Sequence, residues 1–243
     1  MPVSVTSSAL LEFAAFAREL AAAADEIILP LFRTPMAMDD KAPDAMFDPV
    51  TKADRDAEQA MRDLIADRYP DHGIEGEEHG LTRPEARMRW ILDPIDGTKS
   101  FVSGVVSWGV LIGLLCDDEP VLGLLQQPFL GETFIGHDGL AAYCAKNAEK
   151  PLSVRSCHGL DQAIMMTTSP HFFTGPGELQ SFLNVEKHVR MSRYGGDCYN
   201  YGLLAAGHID LVIEAGLNRY DIAPLIPIIR AAGGIVTDWT GGN

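Results

Sequence analysis

The stretch Asp93-Pro94-Ile95-Asp96-Gly97-Thr98-Lys99-Ser100-Phe101 decides how this chain is read. It follows a short apolar run, Trp90-Ile91-Leu92, that predicts a strand. Two carboxylates three positions apart, with a Pro between them and a Gly after, describe a strand ending in a rigid turn that aims oxygen ligands at one point. Such a point suits a hard divalent cation. Mg2+ takes carboxylate and carbonyl oxygens, keeps several waters and commonly bridges protein to phosphate, so the chemistry indicated is metal-assisted attack on a phosphate ester. Taken alone, Asp93 and Asp96 also fit plain turn formation.

The flanking sequence argues against turns alone. Upstream, Asp48-Pro49-Val50-Thr51-Lys52-Ala53-Asp54 leads into a helix with Ala57, Ala60, Met61, Leu64 and Ile65 facing inward, and Thr51 or Asp54 lies near its first turn. A Gly-punctuated acidic loop follows, Gly73-Ile74-Glu75-Gly76-Glu77-Glu78-His79-Gly80. Downstream, the segment from Glu214 to Asp221 precedes a helix that ends in Ala231-Ala232-Gly233-Gly234. Three separate acidic points then converge on one chemistry.

The 243 residues, 47% of them apolar, suffice for a sizeable core, and the formal net charge of −15 repels nucleic acid and anionic membrane as general partners. A phosphorylated substrate is also an anion, but carboxylates loaded with divalent metal invert the local sign. Cys116, Cys144, Cys157 and Cys198 show neither a C-x-x-C pair nor zinc spacing, which predicts a reduced, cytoplasmic protein. Residues 9–29 are Ala- and Leu-rich yet carry Glu12, Arg18, Glu19, Asp25 and Glu26, which excludes a membrane span there. His72, His79, His137, His158, His171, His188 and His208 lack H-x-x-x-H spacing and read as solvated or packing residues, with His79 noteworthy because it follows the acidic pair.

Around this centre the periodicity predicts an α/β chain. Ser7 or Ser8 caps a long helix whose stripe is Leu11, Phe13, Phe16, Leu20, Ile27 and Ile28, ending between Pro30 and Pro35, and residues 34–48 read as a loop. Residues 105–136 alternate as antiparallel strands, with turns at Asp117-Asp118-Glu119-Pro120 and Leu130-Gly131. Beyond Pro151 strands are predicted at 163–168, 187–191, 209–214 and 235–238, with helices at 178–183, 200–206 and 222–232. Trp90, Trp108 and Trp239 are assigned to the core, and Arg83, Arg87 and Arg89 to a solvated loop that could approach a phosphate from a partner subunit. An N-terminal α+β half, 1–150, would carry most metal ligands, and a C-terminal α/β half, 151–243, would carry Asp221 and the specificity residues.

In this order, Asp48 to Asp54, Gly76-Glu77-Glu78, Asp93 to Thr98 and Asp221 to Gly234 resemble the inositol monophosphatase superfamily of Mg2+-dependent phosphatases over nearly the whole chain. The resemblance implies an αβαβα layered sandwich of α/β (α+β) class, a homodimer, and two or three Mg2+ ions per site. It also implies that the chain stops about one strand and one helix short of the family's usual end. Glu77, Asp93, the Ile95 carbonyl, Asp96 and Asp221 look like the metal ligands, with Asp93 bridging two ions and Glu78 holding a further metal-bound water. Asp54 and Thr98 look like the catalytic pair that orients and deprotonates the attacking water, with Glu77 also in a catalytic role. The Gly97 and Thr98 amides look like phosphate donors.

Substrate choice would rest on the later half, where the resemblance matches Glu214 to the family residue that contacts the leaving-group alcohol, places Asp197 where the inositol enzymes carry a small residue, and counts Asp221 among the substrate-binding residues. The Gly196-Asp197-Cys198-Tyr199 run, the Tyr220 to Ile229 segment and Lys99 are similar to the histidinol-phosphate phosphatase branch. That similarity implies hydrolysis of histidinol phosphate in histidine biosynthesis, Asp197 and Glu214 complementing the substrate's cationic groups. The alternatives are hydrolysis of inositol phosphate or another sugar or nucleotide phosphate, and a non-catalytic role beside the transcription machinery.

Overall fold

The computed structural model describes residues 5–35, 39–40, 49–50, 52–146 and 148–242. Helix α1 (Ser7–Ile28) is capped by Thr6, whose hydroxyl accepts the Ala9 amide at 3.3 Å; Ser7 and Ser8 already lie inside the helix. Its buried stripe is Leu10, Ala14, Ala17, Leu20, Ala21, Ala24 and Ile28, with Phe16 beside it, while Leu11 points to solvent. A two-residue antiparallel ladder, β1 (Asp39–Asp40) with β2 (Pro49–Val50), precedes α2 (Lys52–Arg68). Most of the predicted loop 34–48, including Asp48, falls outside the described residues, as does Thr51. On α2 the inward residues are Ala53, Asp54, Ala57, Glu58, Met61, Arg62 and Ile65; Leu64, expected inside, is 38% exposed.

The main sheet runs through β3 (Gly73–Gly76), β4 (Gly80–Thr82), β5 (Met88–Asp96), then past helix α3 (Thr98–Ser103) into β6 (Gly109–Cys116), β7 (Glu119–Gln127), β8 (Glu132–His137), β9 (Leu140–Ala145) and β10 (Ala148–Pro151). Its order is β10-β9-β8-β7-β6-β5-β3-β4, antiparallel except for the β3–β5 pair. Every residue of β6 is buried, as a strand covered by helices on both faces requires. A second sheet places β11 (Ile164–Thr167) between β12 (Met191–Tyr194) and β13 (Leu211–Val212), all parallel. Helix α4 (Glu178–Glu186) joins β11 to β12 and α5 (Tyr199–Ala205) joins β12 to β13, the crossovers that parallel strands need. Helices α6 (Arg219–Ile222) and α7 (Leu225–Ala231) follow.

Three cores bind these layers. Helices α1 and α2 pack one face of the large sheet through Phe16, Leu20, Met61, Trp90, Leu92 and Ile112. Helices α5 and α7 cover its other face against Leu111, Leu125 and Phe134. The smaller sheet closes on α4 through Met165, Phe173 and Phe182. The result is an αβαβα sandwich of α+β class.

Differences from the sequence reading have local causes. The helix expected over 222–232 is broken because Pro224 lacks an N–H to continue α6 and instead opens α7. Residues 187–190 turn out of α4 and the strand begins only at Met191. Residues 235–238 are not a strand: they find no ladder partner among the described residues, and Ile235 is 85% exposed. Trp90 and Trp108 are fully buried, but Trp239 is half exposed, its indole donating to the Glu214 carbonyl at 3.2 Å. Arg89 is no solvated loop residue; its side chain is 7% exposed and ion-paired.

One half-buried acid marks the α1–sheet interface. Asp25 Oδ2 accepts the Gln126 amide at 2.7 Å, and burial pushes its pKa from 3.8 to about 6 against the lowering effect of that bond. Between those values the folded state holds the proton more tightly than the unfolded chain, so stability is lost as pH rises through 6. Asp25→Asn is therefore expected to stabilise the protein more at pH 8 than at pH 5, by a difference of about 1 kcal/mol after allowing for partial solvent access. Thermal melts at the two pH values check this, and an equal or smaller gain at pH 8 contradicts it.

Candidate active site

Strand β5 ends in the diagnostic turn. Its ladder with β6 slips between Asp93 and Asp96, where Pro94 cannot donate, so the strand bends and both carboxylates face the same side. The Asp93 carboxylate accepts the Ile95 amide at 3.1 Å, and the Thr98 hydroxyl donates to the Ile95 carbonyl at 3.1 Å. Gly97 holds φ +83° at the start of α3, and a Cβ there would lie 2.9 Å from the Asp197 side chain, so both conformation and space require glycine.

Asp221 arrives from the far end of the chain. It sits in the single turn of α6, in a capping box in which Asn218 N–H donates to Asp221 Oδ2 at 2.6 Å. Oxygens of Asp93, Asp96 and Asp221 come within 4.8 Å of one another, and Glu77 joins them on the wall of a cavity of about 890 Å³. Burial, then the charges of Glu77, Asp96 and Asp221, push the Asp93 carboxyl well above its usual range. Asp96 is raised likewise, by burial and then by Asp197 and Asp221, despite accepting the Cys198 amide at 2.7 Å. Burial raises Asp221 to about 6. Like charges held this close at a site where Asp93 is buried and Asp96 and Asp221 half-buried are unfavourable unless a cation joins them. An all-oxygen, anionic, preassembled donor set with a backbone carbonyl at hand fits a divalent ion of the Mg2+ type.

The cavity also gathers Gly97, Thr98, Asp197 and Glu214, with Lys99, His171 and Phe172 nearby. Asp197 Oδ2 accepts the hydroxyls of Ser100 and Ser107, both at 2.6 Å. Glu214 accepts the Thr168 amide at 2.7 Å and the Thr168 hydroxyl at 2.9 Å, and burial pushes its pKa up to about 7. Two expected residues are not on this wall. Asp54 is fully buried in the first turn of α2, and neither it nor Glu78 lines the cavity. His79, adjacent to the acidic pair, directs Nε2 to the Arg55 carbonyl at 3.0 Å, a structural contact.

The sequence reading missed Glu58, fully buried on α2. Its carboxylate accepts the amides of Glu78 at 2.7 Å and His79 at 3.1 Å and pairs with Arg62 at 3.0 Å. Arg62 continues to the Gly80 carbonyl and the Thr82 hydroxyl, so the loop bearing Glu77 is tied to α2 on its C-terminal side. The available signal was the pair itself, Glu58 and Arg62 one turn apart on the stripe of Ala57, Met61 and Ile65. His171 and Phe172 carried no such signal, since only the short turn at Pro170–Phe172 brings them to the cavity.

The model of the inositol monophosphatase family matches residues 9–243. The chain belongs to that family. This family member is 46% identical over 242 residues to the bifunctional phosphatase IMPL2, chloroplastic, of Arabidopsis thaliana, covering 99% of this chain and 68% of the relative. It is 35% identical to the histidinol-phosphatase of Mycobacterium tuberculosis, covering 91% of this chain and 85% of that one. Among solved structures, an inositol monophosphatase from Zymomonas mobilis superposes with a TM-score of 0.85 at 45% identity, over 96% of this chain and 88% of the other. The chain is a phosphoric monoester hydrolase of the family. Among the described residues no helix is long and apolar enough to cross a membrane.

Gly76 tests the loop anchor. A Cβ there would fall 2.0 Å from Glu58 Oε1, a carboxylate already fixed by Arg62 and two amides. Gly76→Ala is expected to destabilise the protein by roughly 2–4 kcal/mol through overpacking and broken charged hydrogen bonds, and to weaken divalent-metal binding. Chemical denaturation and a Mg2+ titration measure the two effects; wild-type values in both would rule out the anchor.

Proposed function

We propose that this phosphatase hydrolyses a phosphate monoester at a Mg2+ site, and that its substrate is an amino-alcohol phosphate of the histidinol-phosphate type. The observation that carries the reading is the sharing of one cavity by the Asp93–Thr98 turn and a second pair of carboxylates, Asp197 and Glu214. A polyol leaving group gains little from two acids. An ammonium or imidazolium gains charge-assisted hydrogen bonds from both. The relatives named histidinol-phosphatase support the same choice, while the inositol monophosphatase relative keeps inositol phosphate as the alternative substrate.

In this reading Glu77, Asp93, Asp96, Asp221 and the Ile95 carbonyl hold the metal. When bound, Mg2+ neutralises phosphate oxygens and lowers the pKa of water. The chain's own groups do the rest. The Gly97 and Thr98 amides receive the phosphate, as turn N–H groups do for anions. The Thr98 hydroxyl, which donates to the Ile95 carbonyl at 3.1 Å, would orient the attacking water, and this reading assigns the proton acceptor to Asp54, buried in the first turn of α2 off the cavity wall. Ser100 and Ser107 fix the Asp197 carboxylate for the leaving group's cation. Glu214, whose pKa burial raises to about 7, lines the same cavity and in its ionised form would face the same group.

Three variants separate these roles. Asp93→Asn is expected to nearly abolish turnover while the protein still folds; near-normal turnover at moderate Mg2+ would remove Asp93 from the metal site. Thr98→Ala should lower kcat on the order of a hundredfold with metal affinity retained, the usual scale of a lost proton relay. Asp197→Asn should lower kcat/KM about ten- to a hundredfold for histidinol phosphate only, since a hydrogen bond to a charged group contributes roughly 1.5–3 kcal/mol. Equal losses on histidinol phosphate and a neutral ester, or a wild-type preference for inositol phosphate, would overturn the substrate assignment.

A further inference from the structure

Helix α6, which delivers Asp221, is one turn long, and a single turn has almost no stability of its own. Its capping box satisfies its own amides without fixing it to the rest of the protein. Tyr220 packs against Ile91 and Leu115, and Ile222 against the core beneath α7, while the polar reach of the turn is that of Arg219. One guanidinium nitrogen donates to Asp118 Oδ1 at 2.9 Å and to the Asp118 carbonyl at 3.1 Å, and the other approaches Glu75 at 3.4 Å. Asp118 sits in the β6–β7 turn, and Glu75 lies on β3 two residues before Glu77. Both acceptors are held from below by Arg89 on β5, which pairs with Glu75 at 3.3 Å, pairs with Asp118, and donates to the Pro84 carbonyl at 2.9 Å. Two guanidiniums and two carboxylates therefore bridge the strand that leads into Glu77 and the turn that carries Asp221.

We propose that Arg219 is a positioning residue for the metal site, clamping α6 to the edge of the large sheet so that Asp221 is held beside Asp93 and Asp96 before metal arrives. The inference rests on Asp221 being a metal ligand. An isolated exposed ion pair would contribute little, but this receptor is preorganised by a nearly buried arginine and is multidentate. Losing the clamp lets α6 sample positions in which Asp221 is out of reach, and apparent metal affinity falls by the fraction of molecules that remain competent.

The test is calorimetric titration of MgCl2 into wild type, Arg219→Ala, Arg219→Lys and Asp118→Ala, with amide hydrogen exchange of residues 217–223 in metal-free protein. Asp118 is 70% exposed and lies outside α6, so its truncation removes the Arg219 acceptor without altering the sequence of α6, although it also removes one partner of Arg89. Expected are an Mg2+ dissociation constant about tenfold higher in Arg219→Ala and in Asp118→Ala, partial recovery in Arg219→Lys, and faster exchange confined to α6. Wild-type Mg2+ affinity in Arg219→Ala, or weakened affinity with unchanged α6 exchange, overturns the clamp while leaving the metal site intact. Absence of Mg2+ binding by wild type would overturn the metal reading itself, a different result from either.

Discussion

Mutual repulsion among Glu77, Asp93, Asp96 and Asp221 is the constraint around which the molecule is organised. Four acidic side chains from three distant parts of the chain line one wall, and burial and their own charges push Asp93 and Asp96 up in pKa. Left to itself, such a cluster would open toward water. It stays closed because each member is held by its own backbone support: the slipped β5 ladder for Asp93 and Asp96, the Glu58–Arg62 anchor for the Glu77 loop, and the α6 turn for Asp221. The large sheet and its two helical layers supply the rigidity against which those supports act.

Both ends of the substrate question lie in the same cavity. In the proposed reading the Asp93–Thr98 turn takes the phosphate with its cation, and Asp197 and Glu214, on the same cavity, take the group the phosphate is attached to. Under that proposal the cavity would favour ligands that are anionic at one end and cationic at the other. Shape is secondary at about 890 Å³, which exceeds the needs of a small ester.

Legibility in the sequence followed locality. Asp93 and Asp96 were readable because the ligand pair, the Pro and the Gly fall within five residues, and β6 because its eight residues are continuously apolar. Asp221 was readable only through family resemblance, since its partners are more than a hundred residues away. Arg89 was missed because a charged residue reads as solvated unless its buried partner is known, and its partners are tertiary; Glu58 had a local partner in Arg62, but the loop amides that bury the pair are set by the fold. Pro224 carried a local signal for breaking the last helix that the apolar period outweighed in the reading. The strand expected at 235–238 failed because apolar alternation specifies a face but not a pairing partner.

The central claim is that the carboxylate cluster is a divalent-cation site, and the most direct measurement is thermal unfolding with and without Mg2+. With metal at about a hundredfold excess over its dissociation constant, linkage predicts roughly 2.7 kcal/mol of added stability. For a chain of this size that corresponds to a rise in Tm of about 5–10 °C over the EDTA-treated protein. The rise should vanish in Asp96→Asn. An unchanged wild-type Tm, or an equal rise in the Asn variant, would contradict the account.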